Sequence, residues 1–146
     1  MDDILKYIYN FCATQERCKS DVIKKLTNKG INKDQIQKII NQLIDNDFIN
    51  EKRYSEMFSR GKFKINKWGK IKISHHLKMK KVSEIDIKFG IDQIDSTEYK
   101  NCINKIITKR RITTDTEYEN KMKMVRYLQQ KGFEYELIWN IINKHY

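Results

Sequence analysis

Between Glu51 and Val82 the chain reads EKRYSEMFSRGKFKINKWGKIKISHHLKMKKV, with eleven Lys and Arg against two acids, a local charge of +9. The whole chain carries +11, so the remainder is close to neutral. Cations gathered this way repel one another unless something anionic faces them. The chemistry they offer is phosphate or acidic-surface binding, salt-dependent and indifferent to base sequence. Arg60, Lys62, Lys64, Lys67, Lys70 and Lys72 are the first candidates for such contacts. Lys109, Arg110 and Arg111 form a smaller patch at the end of an expected helix. Cations favour that position for the helix dipole alone. Trp68 is expected to plug the seam between the first and second helical modules, with Gly69 beside it allowing close packing. Phe63, surrounded by basic residues, is expected to be exposed, where single-stranded bases could stack on it.

Other reactive side chains carry less. His75 and His76 are adjacent and would point about 100° apart on a helix. With no third ligand nearby, no metal and no cofactor is expected. Cys12, Cys18 and Cys102 lack CxxC spacing and read as reduced core residues of a cytoplasmic protein. The chain has no Gly-rich phosphate loop, no GxSxG, no HExxH and no acidic cluster suited to catalytic Mg²⁺. The expectation is a binding protein, not an enzyme. No apolar run approaches the ~20 residues of a membrane span, and the acidic start is wrong for a signal peptide.

The elements that must position these residues are helical. Hydrophobic residues make up 39% of the chain and charged residues 34%, a balance that suits a thin, extended helical body. There is no proline to interrupt helices. Leu26, Leu77 and Leu128 are spaced by 51 residues both times. Val22, Ile73 and Met124 keep that register, as do Ile31, Val82 and Phe133, then Ile36, Ile87 and Ile138, then Ile40, Ile91 and Ile142. The pattern implies three tandem three-helix modules, at residues 1–50, 51–96 and 97–146.

The first helices are expected at Asp2–Cys12, Glu51–Arg60 and Ser96–Arg110. Leu5, Ile8, Tyr9 and Cys12 would be buried in the first, Tyr54, Met57 and Phe58 in the second, Tyr99, Cys102, Ile103 and Ile106 in the third. Residues 62–73 read as a basic loop leading into a helix. Expected N-caps are Ser20, Asn32, Ser83 and Thr114, the last in a box with Glu117. Gly30 and Gly132 stand where a helix end needs a left-handed residue, and Lys81 occupies the same register. Glu134 offers its helix no side-chain cap, and His145 reads as a frayed end.

The ordered motifs resemble the RecX family, regulators of the bacterial RecA recombinase. Arg17, Ser20, Leu26 and Gly30 resemble the family's entry into its second helix. Phe48-Ile49-Asn50-Glu51-Lys52-Arg53-Tyr54 with Phe58 resembles its linking signature. Lys67-Trp68-Gly69, Lys72, Ile73 and Leu77 resemble its core motif, and Arg126-Tyr127-Leu128 with Lys131-Gly132-Phe133 its closing motif. The family often has Gly where this chain has Lys81, and Glu where it has His76. The resemblance covers essentially the whole chain. It implies a monomeric, non-catalytic protein of tandem three-helix repeats in an elongated, curved all-α body. It implies binding in the groove of the RecA–DNA filament, limiting filament extension, strand exchange and ATP hydrolysis. Single- or double-stranded DNA would be bound weakly and without sequence specificity. The alternatives are a helix-turn-helix DNA-binding protein and a helical adaptor for an acidic partner.

Overall fold

The computed structural model describes residues 2–113 and 115–146. Among them the chain forms nine α-helices and no strand. The first set is α1 (Asp2–Thr14), α2 (Lys19–Asn28) and α3 (Lys33–Asp45). The second is α4 (Glu51–Asn66), α5 (Lys70–Met79) and α6 (Glu84–Asp92). The third is α7 (Ser96–Lys109), α8 (Glu117–Gln130) and α9 (Tyr135–Ile142).

The 51-residue register has a backbone cause. α2, α5 and α8 each end in the same six-residue turn. The amides of Ile31, Val82 and Phe133 donate to the carbonyls of Leu26, Leu77 and Leu128 at 3.1, 3.2 and 3.1 Å. The residue before each donor is left-handed: Gly30 at φ +80°, Lys81 at +62° and Gly132 at +97°. This turn presses the apolar residue beyond the helix onto the apolar residue inside it. The leucine and its partner five residues on are therefore one contact made three times. Lys81 adopts the geometry without glycine's freedom, at a cost of about 1 kcal/mol.

The next helices begin as expected in two sets. Asn32 Oδ1 accepts from the Gln35 amide at 2.9 Å and Ser83 Oγ from the Asp86 amide at 3.3 Å. Glu134 makes no cap to its own helix. Two expectations move. The N-cap of α2 is Cys18, whose amide donates to Asp21 Oδ2 at 3.2 Å, while Ser20 Oγ lies 3.1 Å from the Cys18 sulfur. The N-cap of α8 is Thr116, accepting from the Glu119 amide at 3.2 Å. Thr114 lies outside the described residues, and Glu117 is the first residue of the helix.

α4 corrects the reading of a basic loop. It continues to Asn66, six residues past Arg60, so only residues 67–69 link it to α5. Ser55, Ser59 and Phe63 follow i, i+4, i+8 spacing and all are buried. Phe63, expected outside, is 5% exposed, and Met57, expected inside, is 55% exposed. The serines keep that face thin where α6 crosses it. A Cβ on Gly90 would lie 2.2 Å from Ser55 Oγ. The chain end is also tied down. His145 Nε2 lies 2.8 Å from Asn104 Oδ1, and the Tyr146 hydroxyl donates to the Ile112 carbonyl at 2.9 Å.

The helix sets are joined in two different ways. The first set has its own apolar core around Ile8, Val22, Leu26, Ile40 and Leu43. The second and third share one core, which includes Ile73, Leu77, Ile103, Met124 and Phe133. There the turn after α8 docks against the start of α5. The Gly69 amide donates to the Lys131 carbonyl at 2.7 Å and the Ile71 amide to the Gly132 carbonyl at 3.0 Å. Between them the Lys70 amide donates to the Tyr99 hydroxyl at 2.9 Å. α5 has no side-chain cap, so orphan donors at its N-terminus are satisfied by the third set.

The first set meets the second through charge. Arg53 bridges Glu16 at 2.6 Å and Asp47 at 3.0 Å, and Lys80 pairs with Asp21 at 2.7 Å. Glu51 Oε2 accepts from the Lys19 amide at 2.8 Å. Cys18, completely buried, carries the first set into the shared core.

Two predictions follow from these seams. A Cβ on Gly69 would lie 2.2 Å from the Gly132 carbonyl carbon, whereas one on Gly61, inside α4, would meet nothing within 4 Å. Gly69→Ala is expected to cost at least ~2 kcal/mol, and Gly61→Ala to add about 0.5–1 kcal/mol. Urea denaturation midpoints measure both. The second concerns Asp21. Burial alone would raise its carboxyl, but the Lys80 ammonium and the Cys18 amide outweigh burial and hold it below the usual range. A depressed carboxyl contributes stability above its unfolded pKa and loses it as pH falls through the folded one. Docking of the first set should therefore weaken as pH drops below about 4. Asp21→Asn should show that loosening already at neutral pH. Hydrogen exchange at the Cys18–Val22 amides reads it, and unchanged protection in the variant would refute the role given to the pair.

Candidate functional site

Eight of the eleven basic residues between Glu51 and Val82 are in no ion pair among the described residues. The three that are paired are Arg53, Arg60 and Lys80. Arg60, one of the candidates, is engaged with Glu56 one turn back on α4 at 2.8 Å. The others fall into distinct places.

Lys62 and Lys72 converge on Trp68. Their ammonium nitrogens lie 5.0 and 4.7 Å from its ring centre, within cation–π range. The His76 ring lies 4.4 Å from the same indole. Trp68 thus packs on α5 inside the second helix set and does not plug the seam with the first. Burial lowers the pKa of His76 first, and His75, Lys72, Lys62 and Lys80 push it the same way. The imidazole therefore senses the field of this cationic cluster. Among the described residues no group of three or more His, Cys, Asp or Glu could hold a metal, and the His75 and His76 rings stand 6.1 Å apart at 84°.

Lys64, Lys67 and Lys109 line one cleft of about 610 Å³ between α4 and α7, together with Lys105. Lys67 takes a left-handed conformation at φ +59° to end α4, and its ammonium donates to the Lys64 carbonyl at 2.8 Å. Lys105 was not singled out from the sequence. Its signal is its place one turn before Lys109 on the same helix.

Lys70 sits over the Tyr99 ring at 4.7 Å. Tyr99 also donates to the Glu134 carboxylate, and burial followed by that carboxylate pushes its pKa up, so the hydroxyl remains a donor. Arg110 lies 3.9 Å over the Tyr127 ring and Arg111 4.5 Å over the Tyr146 ring. They are held by the third set, apart from the Trp68 cluster. A second, larger groove of about 810 Å³ lies between the first and second sets, lined by Arg17, Lys24, Lys25, Lys62 and Lys80 with Phe11, Met57 and Phe58. Its basic residues in the first set escaped the sequence reading because they lie outside the concentrated stretch. No helix among the described residues is long and apolar enough to cross a membrane.

Three successive sets of three helices, with unneutralised lysines on the middle set, define a tandem three-helix-repeat protein with a cationic surface. Residues 50–88 match the family model of the RecX second three-helix domain, and residues 103–142 that of the third. The chain belongs to the RecX family. It is 29% identical over 146 residues to the regulatory protein RecX of Clostridium tetani (strain Massachusetts / E88), covering 97% of this chain and 65% of that one. It is 32% identical over 132 residues to the regulatory protein RecX of Lactococcus lactis subsp. lactis (strain IL1403), covering 87% and 49%. It therefore spans less than two thirds of the length of these relatives. The crystal structure of RecX from Lactobacillus salivarius superposes with a TM-score of 0.84 at 27% identity, covering 99% of this chain and 97% of that one.

The Trp68 cluster generates a test of anion binding. An anion held by Lys62 and Lys72 cancels part of the field that depresses His76. The His76 midpoint, followed by NMR of its ring protons, should rise when a polyanion such as heparin is added. A His76 midpoint that does not move with saturating polyanion would remove this cluster from the binding surface.

Proposed function

We propose that this chain regulates the RecA recombinase by binding the RecA–DNA filament, without catalysis of its own. The observation that carries this reading is membership of the RecX family, named in its relatives as regulatory proteins. The unpaired lysines of α4 and α5 support the mode. In the filament groove they face phosphate or acidic protein surface. Counterion release then makes the interaction salt-dependent. Three linked helix sets, each weak alone, add their binding energies along the filament. Exposed Glu84 at the start of α6 does not favour the alternative in which a third helix reads the major groove, since phosphates flanking it would repel the carboxylate.

The test is single-stranded-DNA-dependent ATP hydrolysis by RecA from the same source, with this protein titrated below the RecA concentration at two salt concentrations. Inhibition at substoichiometric ratio that weakens with salt is expected. The triple variant Lys64→Glu, Lys67→Glu, Lys70→Glu should need at least tenfold more protein for the same inhibition. No effect of the wild-type chain even in excess would overturn the proposal.

A further inference from the structure

The cleft between α4 and α7 has a composition that a filament-facing surface does not require. Lys64 and Lys67 enter it from α4 and Lys105 and Lys109 from α7. None of the four is in an ion pair among the described residues, and Glu98 is the single acid lining the cleft. Four ammonium groups around about 610 Å³ raise a strong positive potential, which a bound anion would relieve. The convergence is registered at Cys102, part of the cleft lining. Burial raises its thiol pKa, while Lys67, Lys131 and Lys105 each pull it down.

The floor is not polar. Phe63 and Cys102 are buried there and Ile106 is half-buried beside them. A naked phosphate would leave that floor wet. A ligand that joins a phosphate chain to a flat ring satisfies rim and floor together. The volume lies inside the ~300–1,000 Å³ range of small-molecule sites. Asn101, exposed at the edge, offers both a donor and an acceptor to a ring. The two helices that form the cleft are fixed to each other by the shared core, where the Phe63 and Tyr99 rings sit 5.6 Å apart. The site is therefore preformed.

We propose that the α4–α7 cleft is a nucleotide-binding site, with Lys64, Lys67, Lys105 and Lys109 holding the phosphates and the Phe63–Ile106 floor receiving the base. The nucleotide is a free nucleoside triphosphate. This inference does not rest on the RecA reading, and RecA is absent from its test. Lysines alone give point charges without the fork geometry of arginine, so discrimination among bases is weak.

The experiment measures fluorescence anisotropy of a labelled ATP against the full chain. The variants are Lys105→Ala/Lys109→Ala in the cleft and Lys33→Ala/Lys38→Ala on α3, outside the cleft lining. Labelled ATP should bind the wild type. The cleft pair should lower its affinity at least tenfold, and the α3 pair less than twofold. Three outcomes would overturn the proposal. ATP does not bind; the two variant pairs weaken binding equally; or inorganic tripolyphosphate competes as well as ATP, which would mean the floor contributes nothing.

Discussion

The backbone contact between the turn after α8 and the start of α5 is the constraint on which the remainder of the fold depends. Carbonyls of Lys131 and Gly132 receive the amides of Gly69 and Ile71. The negative end of one helix thereby meets the positive end of another. Such an approach is possible only if both partners lack side chains at the point of contact. A Cβ on Gly132 would lie 2.3 Å from the Lys72 Cβ, just as one on Gly69 would strike Gly132. The two glycines thus fix the spacing of the second and third helix sets and merge their cores. The α4–α7 cleft exists because that spacing is fixed.

The first set is joined by other means. Its bridges to the second set use long side chains and partly exposed charges, Arg53 with Glu16 and Asp47, and Lys80 with Asp21. Pairs of this kind are modest in energy and are screened by salt. The second and third sets share one core, whereas the first meets them through these pairs and Cys18. The basic groove between the first and second sets lies across this charged seam, and Lys80 serves both the seam and the groove.

The repeat was legible in the sequence because each copy places a leucine and an apolar partner around one left-handed residue, and that turn needs side chains of recognisable type. Caps by Asn32 and Ser83 were legible for the same reason. The seal between the second and third sets was not, because main-chain carbonyls leave no trace in residue identity. Composition misled at Phe63. Basic neighbours suggested exposure, yet Ser55, Ser59 and Phe63 share a face that small side chains disguise. Continuing α4 through that face also carried Lys64 and Lys67 to the cleft with α7, where Lys105 joins them from more than thirty residues away. The concentration of charge could be read along the chain; its division between Trp68, the cleft and the third set could not.

The same seal has a consequence for synthesis. The carbonyls that satisfy Gly69 and Ile71 belong to residues more than sixty positions further along the chain. While the protein emerges from the ribosome, α1 to α3 can close around their own core as soon as they appear. α5 then waits with bare amides until Gly132 is made and has left the exit tunnel. The second helix set is completed only when most of the third has been made, although it lies in the middle of the chain. The lysine-rich segment is thus at its most exposed, and most vulnerable to proteolysis, during that interval.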